Sequence, residues 1–262
     1  MDSRFSILNA CMDYRYIEDP IVIDRVLYYP NKPISVKSKR VEEAERIGIK
    51  YLCNFGPQRI YGNKYKAINI LGKGHSSIVS LVFVKGLGIK VAKIRRIDSK
   101  RKTLSNEARM LMQSSKVGVS PKVYYYSEDF IIMDYVGTIS LGYIIRNLKE
   151  NERKRFLLSA INSARLLDSI GILHSELNRP WSNVFFPSYP SEFPSMIIDL
   201  ESSSLGCGNV NKIVGGILSK FRVNKRKRNL YKLLKEYKKT GCEVNIFSYI
   251  IDELNLLFKD TL

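Results

Sequence analysis

The sequence predicts an α+β fold in which a strand-rich first half precedes a helix-rich second half, with a cleft between the two. Three observations carry this. From Tyr65 to Ile94, β-prone runs alternate with Gly-containing turns. From about Glu150 to Ser169, apolar residues recur at helical spacing. After a Pro-rich turn between Pro187 and Pro194, helical patterns resume to the end of the sequence.

Residues 1–64 read as a leading extension, in which V-E-E-A-E-R-I-G (41–48) predicts a short helix stopped by Gly48 and Y-L-C-N-F a strand. Three adjacent antiparallel strands are expected next: Y-K-A-I-N-I-L, S-I-V-S-L-V-F-V and G-I-K-V-A-K-I. A helix over about 100–116 follows, with Leu104, Ala108, Leu111 and Met112 on one face, and then strands K-V-Y-Y-Y and F-I-I-M-D-Y. Residues 65–136 thus form the strand-rich lobe with one long helix, and residues 137–262 a helical lobe. In the latter, Phe156, Leu157, Ala160, Ala164 and Leu167 face one way, and V-F-F and M-I-I flank a Pro-rich turn as a small hairpin.

The 262 residues, 45% of them apolar, suffice for two lobes around a cleft. Cys11, Cys53, Cys207 and Cys242 are far apart and form no C-x-x-C pair, which argues against a zinc site or a disulfide framework. The first residues do not read as a signal peptide and no run approaches a membrane span, so the expected address is cytoplasmic. The net charge of +18 points to polyanionic partners. Residues 212–239 hold eleven basic residues against one acid, a surplus of ten. Within them, Phe221, Leu230, Leu233, Leu234 and Tyr237 take the buried positions of a helix, leaving Arg226, Lys227, Lys235 and Lys238 to solvent. The stretch Lys220–Lys239 is therefore expected to contact RNA or a ribonucleoprotein.

Three constellations carry chemistry. In L-G-K-G-H-S-S-I-V (71–79), Gly72 and Gly74 let the backbone approach phosphate oxygens, while Ser77 stands where such a loop often has a third Gly. In V-A-K-I-R-R (91–96), Lys93 ends an apolar strand, where an ammonium can reach nucleotide phosphates; Glu107 on the following helix can hold it in place, and Lys90 is the rival lysine. In H-S-E-L-N-R-P-W-S-N (174–183) and M-I-I-D-L-E (196–201), Glu176, Asn183 and Asp199 supply a carboxylate for an acceptor hydroxyl and oxygen ligands for Mg2+.

The order of these parts resembles the protein-kinase-like superfamily, in particular its reduced RIO-like and KEOPS-kinase-like branch and the predicted archaeal serine/threonine kinases within it. The resemblance spans about residues 60–215. It implies a bilobal kinase fold with a reduced C-terminal region, binding ATP and Mg2+. Gly72 and Gly74 would cover the phosphates, Ser77 and Val79 would belong to the same nucleotide-binding set, Lys93 would bind the phosphates, Glu107 would orient Lys93, and Asp199 would hold Mg2+. Met133 and Tyr135, in the stretch to Gly137, would receive adenine.

Two positions depart from that pattern: Glu176 replaces the usual Asp, and Asn183 lies two residues further downstream than usual. No A-P-E motif follows Asp199, so the usual peptide platform is not expected. The leading expectation is an ATP-dependent serine/threonine kinase or autokinase. A nucleotide-binding pseudokinase acting as an RNA- or complex-bound switch, and a small-molecule phosphotransferase, remain open beside it.

Overall fold

The computed structural model describes residues 10–30, 39–62, 67–187, 194–221 and 228–261. The chain divides into two compact units: residues 1–108 with 122–135, and residues 109–121 with 136–262.

The first unit is built on an antiparallel sheet. Its strands are β1 (Tyr14–Tyr16), β2 (Ile49–Cys53), β6 (Ser77–Val84), β7 (Gly88–Arg95), β9 (Phe130–Met133) and β8 (Val123–Tyr126), in that spatial order, with β5 (Gly72–Lys73) also on β6. Helix α1 (Lys39–Ile47) and strands β3 (Gln58–Tyr61) and β4 (Ala67–Ile70) complete the leading part. The three expected strands are not all adjacent: the first, β4, pairs with β3 in a separate two-stranded sheet, and it is the following Gly72–Lys73, β5, that pairs with β6. Residues of the leading extension join the same sheet, since β2 pairs with the second half of β6 and β5 with its first half.

Burial explains this incorporation. Val22, Val26, Leu27 and Val41 share one apolar cluster with Ile78, Val82, Ala92 and Phe130, each side chain larger than alanine contributing roughly 1.5–3 kcal/mol. Arg40 is 5% exposed, and its charge is satisfied inside: Nε and Nη2 donate to the Asp129 carboxylate at 3.0 and 2.7 Å, and Nη1 to the Arg95 carbonyl at 2.6 Å. Asp129 also accepts from Arg95 Nε at 2.7 Å, so one carboxylate ties the leading helix to the sheet.

Helix α2 (Ser105–Lys116) follows the sequence pattern with one exception: Leu104, Ala108 and Leu111 are buried, but Met112 is exposed.

In the second unit, α3 (Leu141–Asn147) and α4 (Glu150–Ser169) precede β10 (Ile172–Leu173), which pairs with β13 (Ser204–Leu205). The expected hairpin is present as β11 (Val184–Phe185) against β12 (Met196–Ile197). Helices α5 (Asn209–Lys220), α6 (Arg228–Lys239) and α7 (Val244–Thr261) complete the unit. The five apolar residues assigned to the inner face of α4 are all buried. On α6, Leu230, Leu234 and Tyr237 are buried, whereas Leu233 and Phe221 are only half-buried. Arg226 and Lys227 lie outside the described residues.

The cysteine expectation is overturned: Cys11 pairs with Cys53 and Cys207 with Cys242, leaving none free. The partners are 42 and 35 residues apart, so the sheet and the helical packing bring them together, which local spacing could not reveal. Among the described residues, no helix is long and apolar enough to cross a membrane.

Candidate active-site residues

In the first unit, β7 presents Lys93 and Lys90 on opposite faces, because an offset of three reverses side-chain direction along a strand. Lys93 is 5% exposed, and its ammonium donates to Glu107 Oε1 at 2.7 Å in a nearly dry site. Lys90 instead pairs with Asp134 at 3.1 Å and lies 4.7 Å from the Tyr124 ring centre. Tyr124 donates to that same Asp134 at 3.0 Å, and burial together with this carboxylate raises its phenol. The two lysines thus occupy different surroundings, one buried against a helix acid and one in a half-exposed cluster.

Gly72 lies in β5, where it opposes Val79 and Lys73 opposes Ile78, and Gly74 begins the turn into β6. The Gly74 N–H donates to the Ser77 carbonyl at 2.9 Å, and the Gly74 carbonyl accepts from Arg96 Nη1 at 2.7 Å. A Cβ on Gly72 would meet nothing within 4 Å, so the turn leaves open space beside its backbone. Ser77 is buried, and Val79 sits directly across from Lys93 in the ladder.

Sequence reasoning missed Tyr29, in the leading segment, which carries Lys73 and Arg96 over its ring at 5.4 and 4.9 Å. Only the fold brings Tyr29 under this turn; an isolated aromatic in an extension gives no signal. Met133 lies opposite Val91 and is buried. Tyr135 packs edge-on against Phe55, its buried hydroxyl has no hydrogen-bond partner among the described residues, and desolvation pushes it up to about 12.

In the second unit, His174 organises the acid-bearing loop. Its Nδ1 accepts the Glu176 N–H at 3.0 Å, which leaves the proton on Nε2 to be donated to the Ile198 carbonyl at 3.1 Å. Burial holds its pKa below the ordinary value, opposed by the Ile198 bond and by the charges of Asp199 and Glu176. The ring is therefore a neutral strut between the two segments bearing Glu176 and Asp199. Ile198 is fixed from its other side as well, its N–H donating to the Asn183 carbonyl at 2.9 Å.

Asp199 follows at φ 63°, ψ 54°, a left-handed conformation that costs a non-glycine residue about 1 kcal/mol or more. Glu176 is exposed at the loop surface, as is Arg179, whose N–H donates to the Glu176 carbonyl at 2.9 Å. Asn183 is 7% exposed, and its Oδ1 accepts from the Ser182 hydroxyl at 3.1 Å.

Three further residues hold this loop. Asp168, 6% exposed, accepts the N–H groups of Gly208, Asn209 and Val210 at 2.7, 2.8 and 3.1 Å, capping α5. It also accepts from Asn209 Nδ2 and the Tyr237 hydroxyl. Desolvation raises its pKa, and these donors oppose the rise. Asn209 in turn accepts the His174 N–H at 2.9 Å. Lys212, one turn along α5, donates to the His174 and Ser175 carbonyls, both at 2.9 Å. Burial and the nearby Lys238 ammonium lower its pKa. Asp168 had a signal in the sequence, an acid four residues after Ala164 on the apolar stripe of a helix; Lys212 had none.

No protein-family model matches the chain, and no curated protein does. Among solved structures, the Cydia pomonella granulovirus kinase PK-1 is similar at 19% identity and a TM-score of 0.40, over 49% of this chain and 48% of that one.

Proposed function

We propose that the chain is an ATP- and Mg2+-dependent phosphotransferase that moves the γ-phosphate of ATP to a serine or threonine hydroxyl. The observation that carries this reading is the buried Lys93–Glu107 pair. A desolvated lysine beside a glycine turn is expensive as a purely structural device, and it suits a phosphate ligand. The residues present fit the nucleotide. The Gly72 backbone is unobstructed, Val79 flanks Lys93, and Met133 and Tyr135 offer an apolar edge for adenine.

Mg2+, when bound, would neutralise charge spread over the phosphates; Asp199 would hold it, with Asn183 the further oxygen donor nearby in the fold of this loop. Glu176 would accept the hydroxyl proton, its backbone fixed by His174. Turnover of labelled ATP with the full chain tests the reading. Transfer to protein hydroxyls supports it, and the absence of any ATP binding or turnover overturns it.

A second reading, an RNA-associated role, is favoured by α6, where Arg228, Lys232, Lys235, Lys238 and Lys239 are all exposed.

A further inference from the structure

Register in the first unit gives the glycine turn between β5 and β6 two distinct sides. Residues paired across an antiparallel ladder project to the same face. Gly72 opposes Val79 and Val79 opposes Lys93, so these three share the face that carries the buried ammonium. Lys73 opposes Ile78 and Ile78 opposes Ile94, and both isoleucines belong to the apolar cluster shared with Val22, Val26 and Leu27 of the leading segment. Lys73 therefore leaves from the reverse of the sheet, on the side where the leading segment packs.

Tyr29 stands on that side. Its hydroxyl accepts from Lys73 Nζ at 3.3 Å, and the Lys73 ammonium and Arg96 guanidinium lie 5.4 and 4.9 Å from its ring centre. Arg96 is oriented through every nitrogen of its fork: Nε and Nη2 donate to the Asp98 carboxylate at 2.8 and 2.6 Å, and Nη1 donates to the Gly74 carbonyl at 2.7 Å. Its backbone N–H donates to the Ser76 carbonyl at 2.8 Å. One ring thus bears on the lysine before Gly74 and on the arginine that holds Gly74 and Ser76. The ring's own backbone is fixed, since the Tyr29 carbonyl accepts the Ile97 N–H at 3.0 Å. Leu27 and Tyr28 before it are buried, and the Tyr28 hydroxyl accepts the Arg40 N–H at 3.1 Å.

Glycines give a turn conformational freedom, and a ligand that must order the turn loses affinity to that ordering. A fixed aromatic post removes this cost in advance. Because it acts from the reverse face, it leaves clear the space beside Gly72, where a Cβ would meet nothing within 4 Å. We propose that Tyr29 is a positioning residue for phosphate binding: through Lys73 and Arg96 it presets the turn whose backbone faces the nucleotide. The role rests on the phosphotransferase reading and gives the leading segment a part in it.

Amide hydrogen exchange of the full chain without nucleotide, read by NMR, is the first test. Tyr29→Leu keeps an apolar side chain against the core and removes the ring; exchange at Gly74 and Arg96 is expected to quicken about fivefold or more relative to Val82 and Val84 in the far half of β6. Lys73→Met, at an exposed position, should quicken Gly74 in the same way, whereas Tyr29→Phe, which keeps a ring under both cations, should not. Titration is the second test: Tyr29→Leu is expected to weaken ATP about fivefold to tenfold and to leave adenosine within about twofold, because only the phosphates meet the turn. The positioning role is overturned by exchange that rises equally throughout the sheet, by an unchanged turn, by a Tyr29→Phe that matches Tyr29→Leu, or by equal loss of ATP and adenosine. In each of those cases ATP binding by the wild type leaves the phosphotransferase reading standing. If the wild type binds no ATP, that reading falls and the role of Tyr29 falls with it.

Discussion

Replacing the Lys93–Glu107 pair by apolar residues separates what the pair does for stability from what it does for ligand binding. Both side chains are almost completely buried, at 6% and 3% side-chain exposure, and their charged atoms are 2.7 Å apart. Removing one partner leaves a desolvated charge behind, at a cost of about 3–5 kcal/mol for Lys93→Met or Glu107→Leu alone. Removing both deletes the unpaired charge along with the attraction, so Lys93→Met/Glu107→Leu is expected within about 1 kcal/mol of the wild type, or more stable. The double-mutant cycle should therefore show strong non-additivity in urea unfolding. ATP titration supplies the second readout: the double variant should fold well and bind ATP at least about tenfold more weakly, because stability is restored and the ammonium is not. Lys90→Met, altering only the half-exposed cluster with Asp134, should bind ATP nearly as the wild type does. Single variants losing under about 1 kcal/mol would refute the desolvation argument, and a double variant with wild-type ATP affinity would refute the phosphate role.

Asp199→Asn keeps a side chain that tolerates the left-handed backbone but removes the charge, so phosphoryl transfer should fall by about 100-fold or more with little change in melting temperature. Wild-type turnover would remove the metal assignment. Asp168→Ala strips an acceptor from three backbone N–H groups, the Asn209 amide and the Tyr237 hydroxyl. A loss of about 3–5 kcal/mol is expected in denaturant unfolding, and a loss below about 1 kcal/mol would show that the cap is dispensable. His174 binds its proton more weakly in the folded state than in the unfolded chain. Its contribution is present above the ordinary histidine value of about 6.5 and is lost as pH falls through the depressed folded value. Unfolding free energies measured from neutral to mildly acidic pH should decline for the wild type and decline less for His174→Gln; parallel profiles would mean that His174 is not the titrating group.

Local periodicity was enough to read β6, β7, α2 and α4, because each is long and its apolar residues repeat at one period. It placed Lys93 and Glu107 on neighbouring elements, but their distance and burial required the fold. The separation of Y-K-A-I-N-I-L from the two strands after it was hidden because all three runs are β-prone, and only pairing partners show that β4 joins β3 while the two residues of β5 join β6. The role of the leading segment was hidden for a related reason: Arg40, Tyr29 and β2 act through partners far along the chain, such as Asp129, 89 residues from Arg40. In the acid-bearing loop, Glu176 and Asp199 were visible as motif residues, whereas Lys212 and Asn209, which hold that loop, look like ordinary helix residues in the sequence.

The two disulfides lie one in each compact unit, with none joining them. Each closes a chain loop of similar length, and the chain-entropy account assigns each about 4 kcal/mol of denatured-state restriction as an upper value. Redox conditions therefore act on the units separately. One crosslink anchors the segment before β1 to the end of β2, and the other anchors the segment following Asp199 to the turn between α6 and α7. The protein in a reducing buffer and in an oxidising one is, in thermodynamic terms, two different preparations, and a melting curve recorded in one is no guide to the order in which the units unfold in the other.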